Sequence, residues 1–208
     1  MFAPGAGRPL GAVALLLAVA AGLIAVGVLP HPLAAIGGLI LIAGLWAFLA
    51  WFFRDPERAP GPGIVSAADG KVRAVDREGD RWRISVFMNV TDVHVNRLPL
   101  DARVTEVADS GSGFRPAFQP DAAHNVQRAY SLATPIGPVE VVQMTGVLAR
   151  RLVSFVGEGW SGAKGARFGM IVLGSRVDVL LPAGRAEPTV RVGDRVRAGT
   201  STIARETP

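Results

Sequence analysis

The sequence predicts a mainly β protein, a compact antiparallel β-sandwich or barrel-like domain preceded by an N-terminal two-helix transmembrane hairpin. Three observations carry this reading. Two uncharged apolar runs, Leu10 to Leu29 and Leu33 to Phe53, stand at the start, each about the 20 residues a helix needs to cross the hydrocarbon core. Short runs rich in valine and isoleucine then recur between Gly and Asp-Gly breaks, as strands and turns do. No long amphipathic helical pattern follows residue 54.

The predicted organisation is an N-terminus at 1–9, a helical hairpin at 10–53, a linker at 54–63 and one domain at 64–208. Only Pro30, His31 and Pro32 separate the two apolar runs. Proline cannot continue the first helix and readily begins the second, so a tight hairpin is expected. A signal peptide is the alternative for the first run, but that run is longer than an ordinary h-region and a second follows at once.

Arg8 flanks the first helix and Arg54 and Arg58 flank the second, while the turn carries only His31. The positive-inside tendency then places both ends, and the domain, on the cytoplasmic side of the cell membrane. Trp46, Phe48, Trp51, Phe52 and Phe53 cluster where the second helix leaves the bilayer, as an interfacial belt does. The next residues, RDPERAPGPG, read as an extended linker.

Within the domain the expected strands are KVRAVD, RWRISVFM, ARVTEVAD, VEVVQMTG, RLVSFVG, FGMIVL, SRVDVLLP and TVRVGDRV. Gly111 to Arg128 is polar, rich in Gly and Pro at its start and without a period, hence a long loop. The tail, Val190 to Ala204, is expected to pair two short strands around Gly-Asp. It is similar to the closing hairpin of lipoyl and biotinyl carrier domains.

The formal charge of +5 suits anionic lipid or nucleic acid; the apolar helices favour lipid, and no nucleic-acid partner is expected. There is no cysteine, which excludes disulfides and thiolate chemistry, and three scattered histidines form no metal motif. No metal is expected.

Four separated segments stand out: SAADGKV at Ser66 to Val72, FMNVTDVHVNRLPLDARV at Phe87 to Val104, VVQMTGVLARRL at Val141 to Leu152, and RFGMIVLGSRVDVLLP at Arg167 to Pro182. With FFRDPER at the end of the second apolar run, they resemble the short-form (archaeal-type) phosphatidylserine decarboxylase proenzymes, in the expected order and over nearly the whole domain. The resemblance implies self-cleavage between Gly174 and Ser175. A serine hydroxyl can attack the preceding carbonyl, and glycine on the acyl side leaves that approach open. Ser175 would become a covalent pyruvoyl cofactor, and the products, 1–174 and 175–208, would stay associated.

The resemblance further implies that the pyruvoyl ketone forms a Schiff base with the serine headgroup of a membrane phospholipid and accepts the electrons left when carbon dioxide departs, giving phosphatidylethanolamine. His94, in DVHVNR, is the implied proton donor. Asp69 is the implied partner of His94 and Ser175 in a charge relay for self-cleavage. The chain departs from the pattern twice: Ala67 or Ala68 replaces the usual proline, and Arg97 stands where longer members carry a second histidine, which leaves the base for self-cleavage open. Arg97, Lys164, Arg167 and Arg176 are candidates for binding phosphate or carboxylate. A related serine-headgroup lipid, archaetidylserine, is an alternative substrate, a non-enzymatic membrane-anchored scaffold is an alternative role, and a homo-oligomer stays open. A carrier role ranks below these, since no modifiable lysine sits at a recognisable hairpin tip.

Overall fold

The computed structural model describes residues 1–26, 32–113, 124–146, 151–172 and 175–207. It contains two compact units, Met1–Pro56 and Glu57–Pro208. The first holds two helices, α1 (Gly7–Ala25) and α2 (Pro32–Phe52). Both are long and apolar enough to cross a membrane, with none of either apolar window buried. Pro30 and His31 of the expected turn lie outside the described residues, and Pro32 opens α2. At the end of α2 the Arg54 guanidinium lies 4.3 Å from the centre of the Trp51 ring, holding a cation beside the aromatic cluster.

The second unit is built from antiparallel pairs, as the valine-rich runs predict. Its main sheet has eight strands in the order β13-β2-β3-β11-β7-β6-β5-β9. These are β2 (Gly70–Glu78), β3 (Arg81–Met88), β5 (Ala102–Ser110), β6 (Gln127–Thr134), β7 (Gly137–Thr145), β9 (Ser161–Gly162), β11 (Ser175–Pro182) and β13 (Arg195–Val196). Two three-stranded sheets complete the unit. One joins β4 (Val95–Arg97), β10 (Arg167–Val172) and β8 (Arg151–Ser154); the other joins β1 (Ile64–Val65), β14 (Thr202–Glu206) and β12 (Ala186–Pro188).

One hydrophobic core collects side chains from all three sheets. Val72, Val86, Val141, Val177 and Val179 come from the large sheet, Phe168 and Ile171 from the second, and Ile64 and Ile203 from the third. Period-two alternation sends these side chains inward while their neighbours face out, which makes the unit a sandwich. At Gly70, φ is +145°, and a Cβ there would lie 2.1 Å from the Phe87 carbonyl oxygen. Only glycine lets the chain turn from Asp69 into β2 this close to β3.

The tail does not form the expected hairpin with itself. β13 pairs with β2, and β14 pairs with β1 and β12. The expected first arm is absent: of the predicted strand TVRVGDRV only Arg195–Val196 is a strand, residues 189–194 carrying none, and Gly193 at φ +104° turns the chain between Arg191 and Arg195. The proline-rich stretch, expected to be a linker, is tied to the domain from Glu57 onward. The Gly61 N–H donates to the Gly199 carbonyl at 3.0 Å, and the Thr202 hydroxyl donates to the Pro62 carbonyl at 2.7 Å. Of the long loop, residues 114–123 lie outside the described residues; its stems meet where Ser112 and Gly113 N–H groups donate to the His124 carbonyl at 3.1 and 2.9 Å.

Candidate active site

The site is built where the chain changes sheets. β10 belongs to a three-stranded sheet and β11 lies in the middle of the large one, so the crossing falls between Val172 and Ser175. Gly174, half of the expected scissile bond, lies outside the described residues. Ser175 opens β11 as the partner of Met88 on one side and Thr145 on the other. It is fully buried, shares its strand face with the core residues Val177 and Val179, and donates its hydroxyl to Met88 Sδ at 3.3 Å. A thioether is a weak acceptor, so the hydroxyl proton is only lightly held.

Behind Met88 runs a buried chain of polar groups that sequence reasoning did not single out. Asn96 Nδ2 donates to Met88 Sδ at 3.8 Å, and Gln143 Nε2 donates to Asn96 Oδ1 at 2.7 Å. The Tyr130 hydroxyl lies 3.3 Å from Gln143 Oε1 and 2.9 Å from Ser154 Oγ, and Ser154 donates onward to the Val156 carbonyl at 2.6 Å. Burial raises the Tyr130 pKa above its ordinary value against the opposing pull of the Ser154 hydroxyl, which keeps the phenol neutral and able to donate. Asn96 and Gln143 sit in the segments DVHVNR and VVQMTG; Gln143 was signalled only as a polar residue in the apolar run VVQM, and Asn96, in the short strand VNR, by nothing.

His94 is buried beside this chain, 1% exposed. Its Nδ1 lies 2.9 Å from the Asp92 carbonyl oxygen, which can only accept. Nδ1 therefore carries the hydrogen, and in the neutral ring the lone pair is on Nε2. The His94 carbonyl accepts from the Ile171 N–H at 3.3 Å, which holds His94 against the strand that runs into Ser175.

Asp69 lies in the turn before β2, and its carboxylate is taken up by groups the sequence did not suggest. Arg58 NH1 and NH2 donate to Oδ1 and Oδ2 at 2.5 and 2.8 Å, and the Ala198 N–H donates to Oδ1 at 2.7 Å. Arg58 NH1 also reaches the Ala198 carbonyl at 3.0 Å. The aspartate expected to serve His94 is thus clamped by the arginine expected to flank the second helix.

Of the four candidate anion-binding residues, the structure gathers three. Arg97 and Arg167 are cross-strand partners in β4 and β10, and Arg97 NH1 donates to the Gly165 carbonyl at 3.2 Å, next to Lys164. Lys164 Nζ reaches the Gly63 carbonyl at 3.2 Å, and Arg167 NH2 reaches Glu57 Oε1 at 2.8 Å. Arg176 lies apart. It is on the opposite face of β11 from Ser175 and forks onto Asp178 at 2.6 and 2.5 Å. Burial works against that cation, but the Asp178 hydrogen bond and charge outweigh it and hold its pKa above the ordinary arginine value. Among the described residues, no three His, Cys, Asp or Glu side chains converge as metal ligands.

Two apolar helices and a β-sandwich whose polar interior converges on one buried serine define a protein with membrane-compatible helices and a serine-centred site. The family model for phosphatidylserine decarboxylase matches residues 45–204, which takes in Asp69, His94 and Ser175. A phosphatidylserine decarboxylase proenzyme from Thermobifida fusca (strain YX) is 46% identical over 167 residues, 79% of this chain and 76% of that protein. A proenzyme of the same name from Solibacter usitatus (strain Ellin6076) is 44% identical over 92% of both chains. A putative archaetidylserine decarboxylase proenzyme from Halobacterium salinarum is 43% identical over 81% of this chain and 85% of its own. The chain belongs to the phosphatidylserine decarboxylase family.

Proposed function

We propose that this chain is a phosphatidylserine decarboxylase that matures by cutting itself between Gly174 and Ser175. The observation that carries the reading is Ser175 itself, fully buried at the head of a central strand with its hydroxyl on a thioether. A serine in a plain surface turn would be solvated and its burial pointless.

In the maturation step the Ser175 Oγ bonds to the Gly174 carbonyl carbon as the peptide C–N bond breaks and the nitrogen takes the proton. Loss of the α-proton then breaks the Cβ–O bond, leaving a Gly174 carboxylate and a dehydroalanine, whose hydrolysis releases ammonia and leaves a pyruvoyl group. Ser175 fits that origin. Residues 175–182 pair with β3 and residues 175–180 with β7, so the new terminus would stay between Met88 and Thr145 and the small product would stay locked in the sheet. When bound there, the group supplies a conjugated carbonyl that takes up the electron pair left by departing carbon dioxide.

Once protonated at Nε2, His94 supplies the proton that replaces carbon dioxide on the substrate carbon. Arg97, Lys164 and Arg167 are the cations that hold the phosphate or carboxylate of the headgroup; Arg176, turned to Asp178 on the other face, is left out. Asp69 orders the site through its clamp with Arg58. The flanking charges Arg8, Arg54 and Arg58 support a domain on the cytoplasmic side by the positive-inside tendency.

Archaetidylserine is the second reading, favoured by relatives bearing that name at comparable identity. Both lipids present the same serine headgroup. The test is release of labelled carbon dioxide from vesicles holding either carboxyl-labelled lipid, with the full chain reconstituted. Release from phosphatidylserine supports the reading, release only from the ether lipid moves it to the second, and no release from either returns the chain to a scaffold.

A further inference from the structure

The turn at Arg191–Asp194, strand β13 and the start of strand β2 form a predominantly cationic surface. Arg195 is the cross-strand partner of Lys71, and like charges directly opposite destabilise a sheet pair. Arg73, Arg191 and Arg197 flank them, and all five cations are exposed. Residues 71–73 and 191–197 hold one carboxylate against these five, and Asp194 spends an oxygen on the Arg191 N–H at 2.8 Å; Asp76 and Glu78 lie farther along β2. Among the described residues none of the five cations is ion-paired; Arg73 lies over the Phe87 ring at 5.3 Å.

At the apex of the turn stands Val192, 65% exposed. It is the only exposed large apolar side chain among the described residues after Pro56. A nucleic acid or an acidic peptide would neutralise the cations and leave Val192 in water. A membrane surface answers both features: anionic headgroups meet the cations and an aliphatic tip enters the interface between them.

We propose that Lys71, Arg73, Arg191, Arg195 and Arg197 form a docking surface for anionic phospholipid, with Val192 as its inserted tip. This orients the β domain on the bilayer and does not depend on the decarboxylase reading, so either can fail alone.

The chain has no cysteine, so Val192→Cys gives a single site for an environment-sensitive fluorophore on the full chain in vesicles. Emission should shift to the blue in phosphatidylcholine mixed with phosphatidylglycerol but not in phosphatidylcholine alone. The shift should collapse in 1 M salt, where the screening length falls to about 3 Å. Each cation near an anionic surface is worth about fivefold in partitioning, so Lys71→Gln with Arg195→Gln should lower the docked-to-undocked ratio about 25-fold. Equal emission in the two kinds of vesicle, a shift that salt leaves intact, or a larger shift with added RNA than with anionic lipid would each overturn the proposal. The salt arm needs no charge variant and holds even if the double variant misfolds.

Discussion

Arg58 grips both carboxylate oxygens of Asp69, at 2.5 and 2.8 Å, with the two side chains 12% and 11% exposed. Removing one partner of a nearly buried pair strands the other charge, which costs about 3 kcal/mol. Arg58→Ala should lose about that much stability, and Arg58→Lys less, since an ammonium keeps the charge but not the fork. Thermal unfolding of the full chain followed by circular dichroism measures both; midpoints equal to wild type would mean that the clamp is ornamental. Slower appearance of the cut chains in Arg58→Ala than in Arg58→Lys would add that the clamp also orders Asp69 for maturation.

Gln143 ties Asn96 to Tyr130 in the fully buried chain behind Met88. Gln143→Leu leaves the Asn96 carbonyl oxygen without this donor, at a cost of about 1–3 kcal/mol. Gly169→Ala should do comparable harm by crowding, because its Cβ would lie 2.8 Å from the Val153 carbonyl oxygen and 2.9 Å from Gln143 Nε2. Denaturant titration of each variant reads the loss, and unchanged midpoints in both would contradict the linkage.

Tyr130 is the only tyrosine in the chain, so tyrosinate absorbance reports it alone. Its folded pKa is raised by burial from 10.0. A group raised in the folded state contributes stability that is fully present below the unfolded pKa and is lost as pH rises through the folded value. The absorbance midpoint of the folded chain should therefore lie above 10.0, and stability should fall more steeply at alkaline pH in wild type than in Tyr130→Phe. A midpoint at or below the ordinary value would refute the burial argument.

His94 presents a fixed tautomer through its Nδ1 contact with the Asp92 carbonyl. Replacing it by glutamine removes the titrating nitrogen, and general acid–base roles are worth about 10²–10⁴-fold. His94→Gln should slow maturation and, in the matured fraction, decarboxylation by factors in that range. A time course on denaturing gels and a carbon dioxide assay separate the two, and wild-type rates in both would remove His94 from the chemistry.

Much of this architecture was legible from local pattern. RWRISVFM and SRVDVLLP are β3 and β11 to the residue, because dense β-branched alternation fixes both conformation and face. β6 was missed. Its inward residues include Tyr130 and Leu132, but QRAYSLAT carries no valine or isoleucine and adjoins the polar loop. Of the two tail strands expected around Gly-Asp only the second exists, as Arg195–Val196, and it pairs with β2, since pairing depends on which sheet edges the rest of the chain leaves open. Motifs marked Ser175, His94 and Asp69, whereas Arg58 read as a membrane-flanking charge. Its partner lies 11 residues away across a turn, at no helical or strand spacing. The Asn96–Gln143–Tyr130 chain exists only once β4, β6 and β7 are packed.

The most direct test is intact-mass spectrometry of the purified full chain beside Ser175→Ala. Two fragments dividing after Gly174 are predicted for the wild type, the smaller beginning in a pyruvoyl group, with the variant remaining whole. A folded wild-type chain of a single, uncut mass would contradict the account.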